Sequence, residues 1–413
     1  MLPIKRKFRS AVWRLNQATI RAHYATIKYV VELITNKYWL LDYLPTFLGP
    51  KQGVLLVRLD LIGDFILWLD SAQTYRDLYP SKKVTLYVNS ACKELAETLP
   101  HWDEVIGVDV HLLRTNYLYR LRALTRLRWR NFAVAIQPTF SRELAGDLAL
   151  RASFAPQRIG YEGDLNNIGT SIKNNTDNWY TKLIANDPKQ TMELNINAHF
   201  VRALGCHKFL SSIANIPKIA VQRRAEIELE GPYAIVAPGA SWSRKQWPIE
   251  QFSKLAQELV TQKGVKIALC GSSHDFLLCE QIAKALPAKC ALNLAGKTTL
   301  TEYVEIIRSA MLLVGNDSAP IHIAAATQTP AVCILGGGHF GRFLPYEPEV
   351  ALRNNQGPRV ITNRMECFGC KWACTVAPTG DDAVPCIKFV SISDVYSVCV
   401  DAINSSKRAH ESP

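Results

Sequence analysis

The chain has 413 residues and is 48% hydrophobic, which is ample for more than one buried core and excludes an intrinsically disordered protein. Its formal net charge of +12 calls for an acidic partner: a phosphorylated ligand, an anionic membrane surface or nucleic acid. Eleven cysteines are an odd number, and Cys270, Cys333 and Cys399 lie inside apolar runs, which argues for reduced, buried thiols in a cytoplasmic protein over a disulfide framework.

Residues 1–50 carry eight Lys or Arg against Glu32 and Asp42, about half the net charge in an eighth of the chain. No continuous apolar region follows Lys5-Arg6-Lys7, so no cleavable leader is expected, and no stretch reads as a membrane span. Ile20, Tyr24, Ile27, Val31, Ile34, Tyr38 and Leu41 fall at spacings of four and three and line one helical face, with Arg21, Lys28 and Lys37 off it. With Trp13 and Trp39, the pattern suits an amphipathic helix on an anionic membrane surface, or equally one packed on the protein's own body or a second subunit.

From Val54 the pattern alternates. Short β-rich runs at Val54–Leu59, Val84–Val88, Val105–Val108 and Phe132–Gln137 are separated by helical stretches, the first over Phe65–Tyr79. Residues 162–190 are rich in Asn, Asp, Thr and Lys and read as a loop or flap. A helix near Thr191–Leu204 and a polar connection follow. The alternation then restarts, with strands at Tyr233–Ala237, Val265–Leu269, Leu292–Ala295, Leu312–Gly315 and Ala331–Leu335, and helices near 249–262, 274–286 and 300–310. The expected fold class is α/β, with two doubly wound Rossmann-like halves and a ligand crevice at the strand carboxyl ends. The expected boundaries are 1–50 for the extension, 51–215 and 232–390 for the two domains, and 391–413 for a terminal helix and tail.

Three segments carry candidate chemistry. In Arg58-Leu59-Asp60-Leu61-Ile62-Gly63-Asp64, the glycine permits a tight strand-to-helix turn that brings Asp64 to a first helical turn. A carboxylate there could accept a proton from an attacking hydroxyl, or simply complement the helix dipole. In Pro238-Gly239-Ala240-Ser241-Trp242-Ser243-Arg244-Lys245-Gln246-Trp247-Pro248, Gly239 allows close backbone approach and Arg244 and Lys245 offer cations to a diphosphate. In Gly315-Asn316-Asp317-Ser318-Ala319-Pro320-Ile321-His322, an apolar strand ends and a small-residue helix begins, leaving free N–H groups and a positive dipole end for a phosphate. The plainer reading of this turn is a buried strand–turn–helix with Ser318 as its cap.

In order and spacing these segments resemble glycosyltransferase family 9, the bacterial heptosyltransferase family, over about residues 53–400. The resemblance implies the two-domain GT-B fold, with an acceptor domain followed by a nucleotide-sugar donor domain. It also implies inverting, metal-independent transfer of a heptose or similar sugar from a nucleotide-sugar donor onto a lipopolysaccharide-core or related acceptor, without a cofactor. By resemblance Asp64 matches the general base, and Lys245, Asp317, Ser318, Ala319 and His322 match donor-binding positions, beside Gly239. Ala319 stands where the family usually has glycine, and Gly336-Gly337-Gly338-His339-Phe340-Gly341 stands where a Phe-Gly-Pro-Thr-like turn is common.

Six arginines between Arg114 and Arg130 recur at helical spacing with Leu118, Leu121 and Leu124, as a solvated amphipathic helix or a surface for anionic head groups or acceptor phosphates. No nucleic-acid-binding module accompanies them, so nucleic acid is not an expected partner. Arg142, after the run Phe132–Gln137, is the acceptor-binding candidate. Cys367, Cys370, Cys374 and Cys386 form a four-thiol set with partial zinc-like spacing, for which packing or a redox-sensitive pair outweighs a structural metal. The expected setting is the cytoplasmic face of the bacterial inner membrane. Two rivals are another GT-B nucleotide-sugar enzyme, such as an epimerase, and a non-catalytic nucleotide-sugar-binding scaffold.

Overall fold

The computed structural model describes residues 49–221, 231–353, 357–376 and 382–411. The amphipathic stripe expected from Ile20 to Leu41 lies outside them. The chain folds into two compact units. One holds the described residues through Leu59, with Lys82–Ser90 and Ile106–Leu183. The other holds Asp60–Ser81, Ala91–Val105 and the described residues from Ile184 onward.

Among the described residues the strands form two six-stranded sheets. The first comprises β1 (Gly53–Arg58), β2 (Val84–Asn89), β3 (Glu104–Val108), β4 (Phe132–Gln137), β5 (Gln157–Tyr161) and β6 (Lys182–Ile184), in the order β3-β2-β1-β4-β5-β6. The second comprises β7 (Tyr233–Ala237), β8 (Lys266–Leu269), β9 (Ala291–Asn293), β10 (Leu312–Asn316), β11 (Ala331–Ile334) and β12 (Arg359–Ile361), in the order β12-β11-β10-β7-β8-β9. Counted from its own first strand, each sheet has the same doubly wound order, with the reversal between its first and fourth strands. Central pairs run parallel: Val54 of β1 sits opposite Val84 of β2, and Leu313 of β10 opposite Ile235 of β7. Helices cover both faces of such a sheet, so its central strands are apolar throughout rather than alternating. Val54, Leu55 and Leu56, like Leu312, Leu313 and Val314, are fully buried.

The first unit's core joins Leu55, Val57 and Ala135 to Leu124 and Leu127 of the helix Tyr117–Arg128 and to Leu148–Leu150. The second unit's core joins Val236, Ile267 and Val314 to Trp247, Phe252, Leu255 and Cys399.

Two stretches depart from the sequence expectation. The expected continuous helix Phe65–Tyr79 is two helices, Ile62–Trp68 and Ala72–Leu78, joined by a 3-10 turn at Leu69–Ser71. There the Ser71 hydroxyl donates to the Trp68 carbonyl at 2.8 Å, the back-bonding that bends helices. The expected loop 162–190 contains the helix Thr170–Asp177 and the edge strand β6, just after the unexpected strand β5. The helix buries Thr176 alone, so it has no apolar stripe to read. No described helix is long and apolar enough to cross a membrane.

Candidate functional site

The site is built where the second sheet reverses its order, at the carboxyl ends of the neighbouring strands β7 and β10. Loops leaving such a pair diverge and leave room for a ligand. Asn316, the last residue of β10, is fully buried and clamps the two loops together. Its Oδ1 accepts the Trp247 N–H at 2.9 Å and its Nδ2 donates to the Pro238 carbonyl at 2.7 Å. The Trp247 indole, also buried, donates to the Val390 carbonyl at 3.1 Å and anchors the far end of the 238–248 loop.

Lys245 closes a short 3-10 turn, Ser243–Lys245, on this loop. Its Nζ lies 4.3 Å from the centre of the Trp372 ring. Burial lowers the Lys245 pKa while the neighbouring Asp317 carboxylate raises it. Burial in turn pushes the Asp317 carboxyl up, against the opposing pull of the Lys245 charge. Ser318 follows in the N-cap position of the helix Ala319–Ala326, yet its hydroxyl does not cap it. It donates to the Asn316 carbonyl at 3.3 Å, so the side chain leaves the Ala319 N–H to another acceptor, while Pro320 has none and the Ile321 N–H donates to the Ser318 carbonyl at 3.1 Å. A half-buried ammonium beside an open helix N-terminus favours an anion held by charge and backbone donors together.

The helix Ile62–Trp68 packs on this helix within the same unit. A Cβ added to Gly63 would lie 3.4 Å from His322 Cδ2 and 3.6 Å from Ala319 Cα, so the glycine lets the two helices close up. Asp64, half-buried, follows in its first turn. His322 is buried, and its Nδ1 lies 2.8 Å from the Tyr346 hydroxyl. Burial pulls the His322 pKa down to about 4, so the imidazole is neutral near neutrality and acts as a hydrogen-bonding group rather than a cation. Gly239 is approached not by backbone but by Asp275, whose Oδ1 would be 2.5 Å from a Cβ there. Asp275 itself accepts the Ser272 N–H at 2.8 Å and fixes the turn after β8.

Gly63, Asp64, Gly239, Lys245, Asp317, Ser318, Ala319 and His322 thus all belong to one unit. Arg142 belongs to the other. It is fully buried, in an ion pair with Asp177 and 4.7 Å from the centre of the Tyr180 ring. Sequence reasoning did not single out Tyr346, Asp275 or Trp372. Lys371 and Trp372 both adopt left-handed backbone (φ 52° and 66°), uncommon in residues with side chains, and no sequence pattern announces it. Cys367, Cys370, Cys374 and Cys386 line one small cavity with Trp372 as free thiols, and no group of three or more possible ligands among the described residues is arranged to hold a metal ion.

Residues 207–372 match the family model for glycosyltransferase family 9 (heptosyltransferase). Lipooligosaccharide heptosyltransferase 2 of Haemophilus influenzae is 41% identical over 111 residues, which is 26% of this chain and 32% of that protein. The second relative, lipopolysaccharide heptosyltransferase 3 of Escherichia coli, is matched over 30% of its length, so the chain spans about a third of either in these alignments. Lipooligosaccharide heptosyltransferase 2 of Haemophilus ducreyi is 25% identical over 67% of this chain and 80% of its own length. Among solved structures, E. coli ADP-heptose lps heptosyltransferase II superposes with a TM-score of 0.62 at 19% identity, over 86% of this chain and 99% of that one. A glycosyl transferase family 9 protein from Veillonella parvula superposes with a TM-score of 0.65 at 17% identity, over 86% and 98%. These likenesses show the fold, two parallel sheets with flanking helices as in GT-B heptosyltransferases.

Proposed function

We propose that this chain, whose residues 207–372 belong to glycosyltransferase family 9, transfers a heptose or similar sugar from a nucleotide-sugar donor to a lipopolysaccharide-core or related acceptor, at an anionic membrane surface. The observation that carries this reading is the Asn316 clamp. It brings Lys245, Asp317 and the open N-terminus of Ala319–Ala326 together, with the helix bearing Asp64 packed against that terminus.

In the reaction an acceptor hydroxyl attacks the anomeric carbon from the face opposite the diphosphate, and the configuration inverts. Asp64 takes the hydroxyl proton as the new C–O bond forms and the sugar–phosphate C–O bond breaks. The nucleoside diphosphate leaves with the electron pair of that bond. Lys245 and the Ala319 N–H stabilise the growing negative charge, with the helix dipole behind them, the task a divalent cation performs in other transferases. Neutral His322, held by Tyr346, positions the first turn of that helix against Gly63. Arg142 serves the acceptor side indirectly, by holding Asp177 and Tyr180.

The solved structure named for ADP-heptose makes ADP-heptose the first donor to assay, and the relatives named as lipooligosaccharide and lipopolysaccharide heptosyltransferases make a heptose-deficient lipopolysaccharide core the first acceptor. The expected result is an acceptor-dependent heptoside of inverted configuration, with turnover lowered about a hundredfold or more in Asp64→Asn and donor binding retained. Donor binding without turnover on any acceptor would favour a scaffold, and sugar conversion without acceptor would favour an epimerase.

A further inference from the structure

We infer that the outer face of the helix Tyr117–Arg128, with the surface around Phe154, is a docking face for an anionic phospholipid bilayer. Of the six arginines in this stretch, three are committed elsewhere. Arg114 pairs with Glu143, Arg120 is buried and donates to the Leu113 carbonyl at 2.7 Å, and Arg128 is buried with its guanidinium 3.7 Å from the Phe154 ring centre. What remains outside is ordered. Leu118, Arg122, Arg126 and Trp129 follow at spacings of four, four and three, which places them on one helical face, and all four are exposed.

A solvated basic helix would have polar residues between its cations. Here Leu118 is 67% exposed and Trp129 is 53% exposed, on either side of the two arginines. The patch extends past the helix end. Phe154 is 42% exposed with left-handed backbone (φ 51°) just beyond the helix Leu144–Ala152, a conformation that an aromatic residue seldom takes. Lys51 Nζ lies 5.9 Å from its ring centre and is buried beneath the patch rather than part of its outer face.

Cations interleaved with an exposed Trp, Phe and Leu match the head-group layer of a membrane, where the charges face lipid phosphates and the apolar groups enter the interface. A nucleic-acid phosphate backbone would use the cations but leave the exposed Leu118 of the same row in water. The inference stands on surface residues of the first unit and not on turnover, so its failure and that of the transferase reading are separately visible.

The test uses the full chain with vesicles of phosphatidylcholine alone and of phosphatidylcholine with phosphatidylglycerol. Wild type should co-sediment only with the anionic vesicles, with hydrogen-exchange protection appearing across 117–130. Each basic group at such a surface is worth roughly a fivefold change, so Arg122→Gln with Arg126→Gln should weaken binding about 25-fold. Leu118→Ser with Trp129→Ser should weaken it as well, without changing transfer to a soluble acceptor. Unchanged vesicle affinity in both double variants, or protection absent from 117–130 while the protein binds, would overturn the inference. So would duplex DNA binding that the arginine changes weaken, in the absence of vesicle binding.

Discussion

Lys245 can hold a diphosphate only while it stays protonated, and two neighbours decide that in opposite directions. Burial disfavours its charge and Asp317 favours it. Replacing Lys245 by Met should raise the donor KM roughly tenfold to a hundredfold, the loss expected for one charge-assisted contact, with a smaller effect on binding of the acceptor. Asp317→Asn removes the group that raises the lysine's pKa, so Lys245 should lose its proton at lower pH than in wild type. Donor KM measured against pH should then begin its alkaline rise earlier in the variant; an unchanged profile would refute the coupling. His322 makes a separate prediction about stability. Its folded pKa, about 4, lies below the ordinary 6.5, so the unfolded chain binds more protons between those values and stability falls as the pH drops through them. From about pH 7 to pH 5 the contribution lost is about 2 kcal/mol, and His322→Gln should flatten that part of a denaturant-unfolding series. Asp64, Lys245 and Asp317 were visible in the sequence because each sits in a short segment whose neighbours define its geometry. Tyr346, Trp372 and Asp275 were not, because each reaches His322, Lys245 or Gly239 from a segment remote in sequence.

At the scale of elements, the run Gly336-Gly337-Gly338 shows why a motif can be noticed in sequence and still not be understood. It follows β11, and each glycine is covered by an aromatic ring from the 365–374 segment. A Cβ on Gly337 would lie 2.3 Å from Phe368 Cδ2, and one on Gly338 2.3 Å from Trp372 Cδ2. The Lys371 N–H donates to the Gly338 carbonyl at 2.9 Å and seals the contact. The glycines are therefore required by Phe368 and Trp372, and through Trp372 the run reaches Lys245. Gly338→Ala must displace the indole and should destabilise the protein by about 1–3 kcal/mol, read as a lower denaturation midpoint at unchanged slope. A larger rise in donor KM than in the control Gly169→Ala, where an added Cβ meets nothing within 4 Å, would tie the indole to the lysine. The central strands β1, β4, β7 and β10 were legible because burial on both faces makes them continuous apolar runs. The polar strand β5 and the three-residue strands β6 and β12, half-buried at Arg359–Ile361, owe their state to neighbours already in place rather than to their own composition.

Over the whole molecule, the chain consists of two units with the same doubly wound order, and all the proposed donor contacts fall in one of them. A ligand that binds only the folded form of a unit stabilises that unit, by about 2.7 kcal/mol at a hundred times its dissociation constant. ADP alone carries the diphosphate that Lys245 and the open helix end would hold, so it should raise a thermal transition without any sugar present. ADP-heptose should raise it further at equal concentration if the sugar is also bound, and GDP, UDP and dTDP sugars should raise it less. The unit holding β1, β2, β4 and β5 gains nothing from the ligand, so an unfolding trace with two transitions should show one move and the other stay. In Lys245→Met the moving transition should lose most of its ADP-induced shift while the unliganded midpoint changes little, because Lys245 is half-buried and methionine keeps an apolar stem against Trp372. A full shift retained in that variant would place the diphosphate elsewhere and remove the Asn316-clamped junction as the donor site.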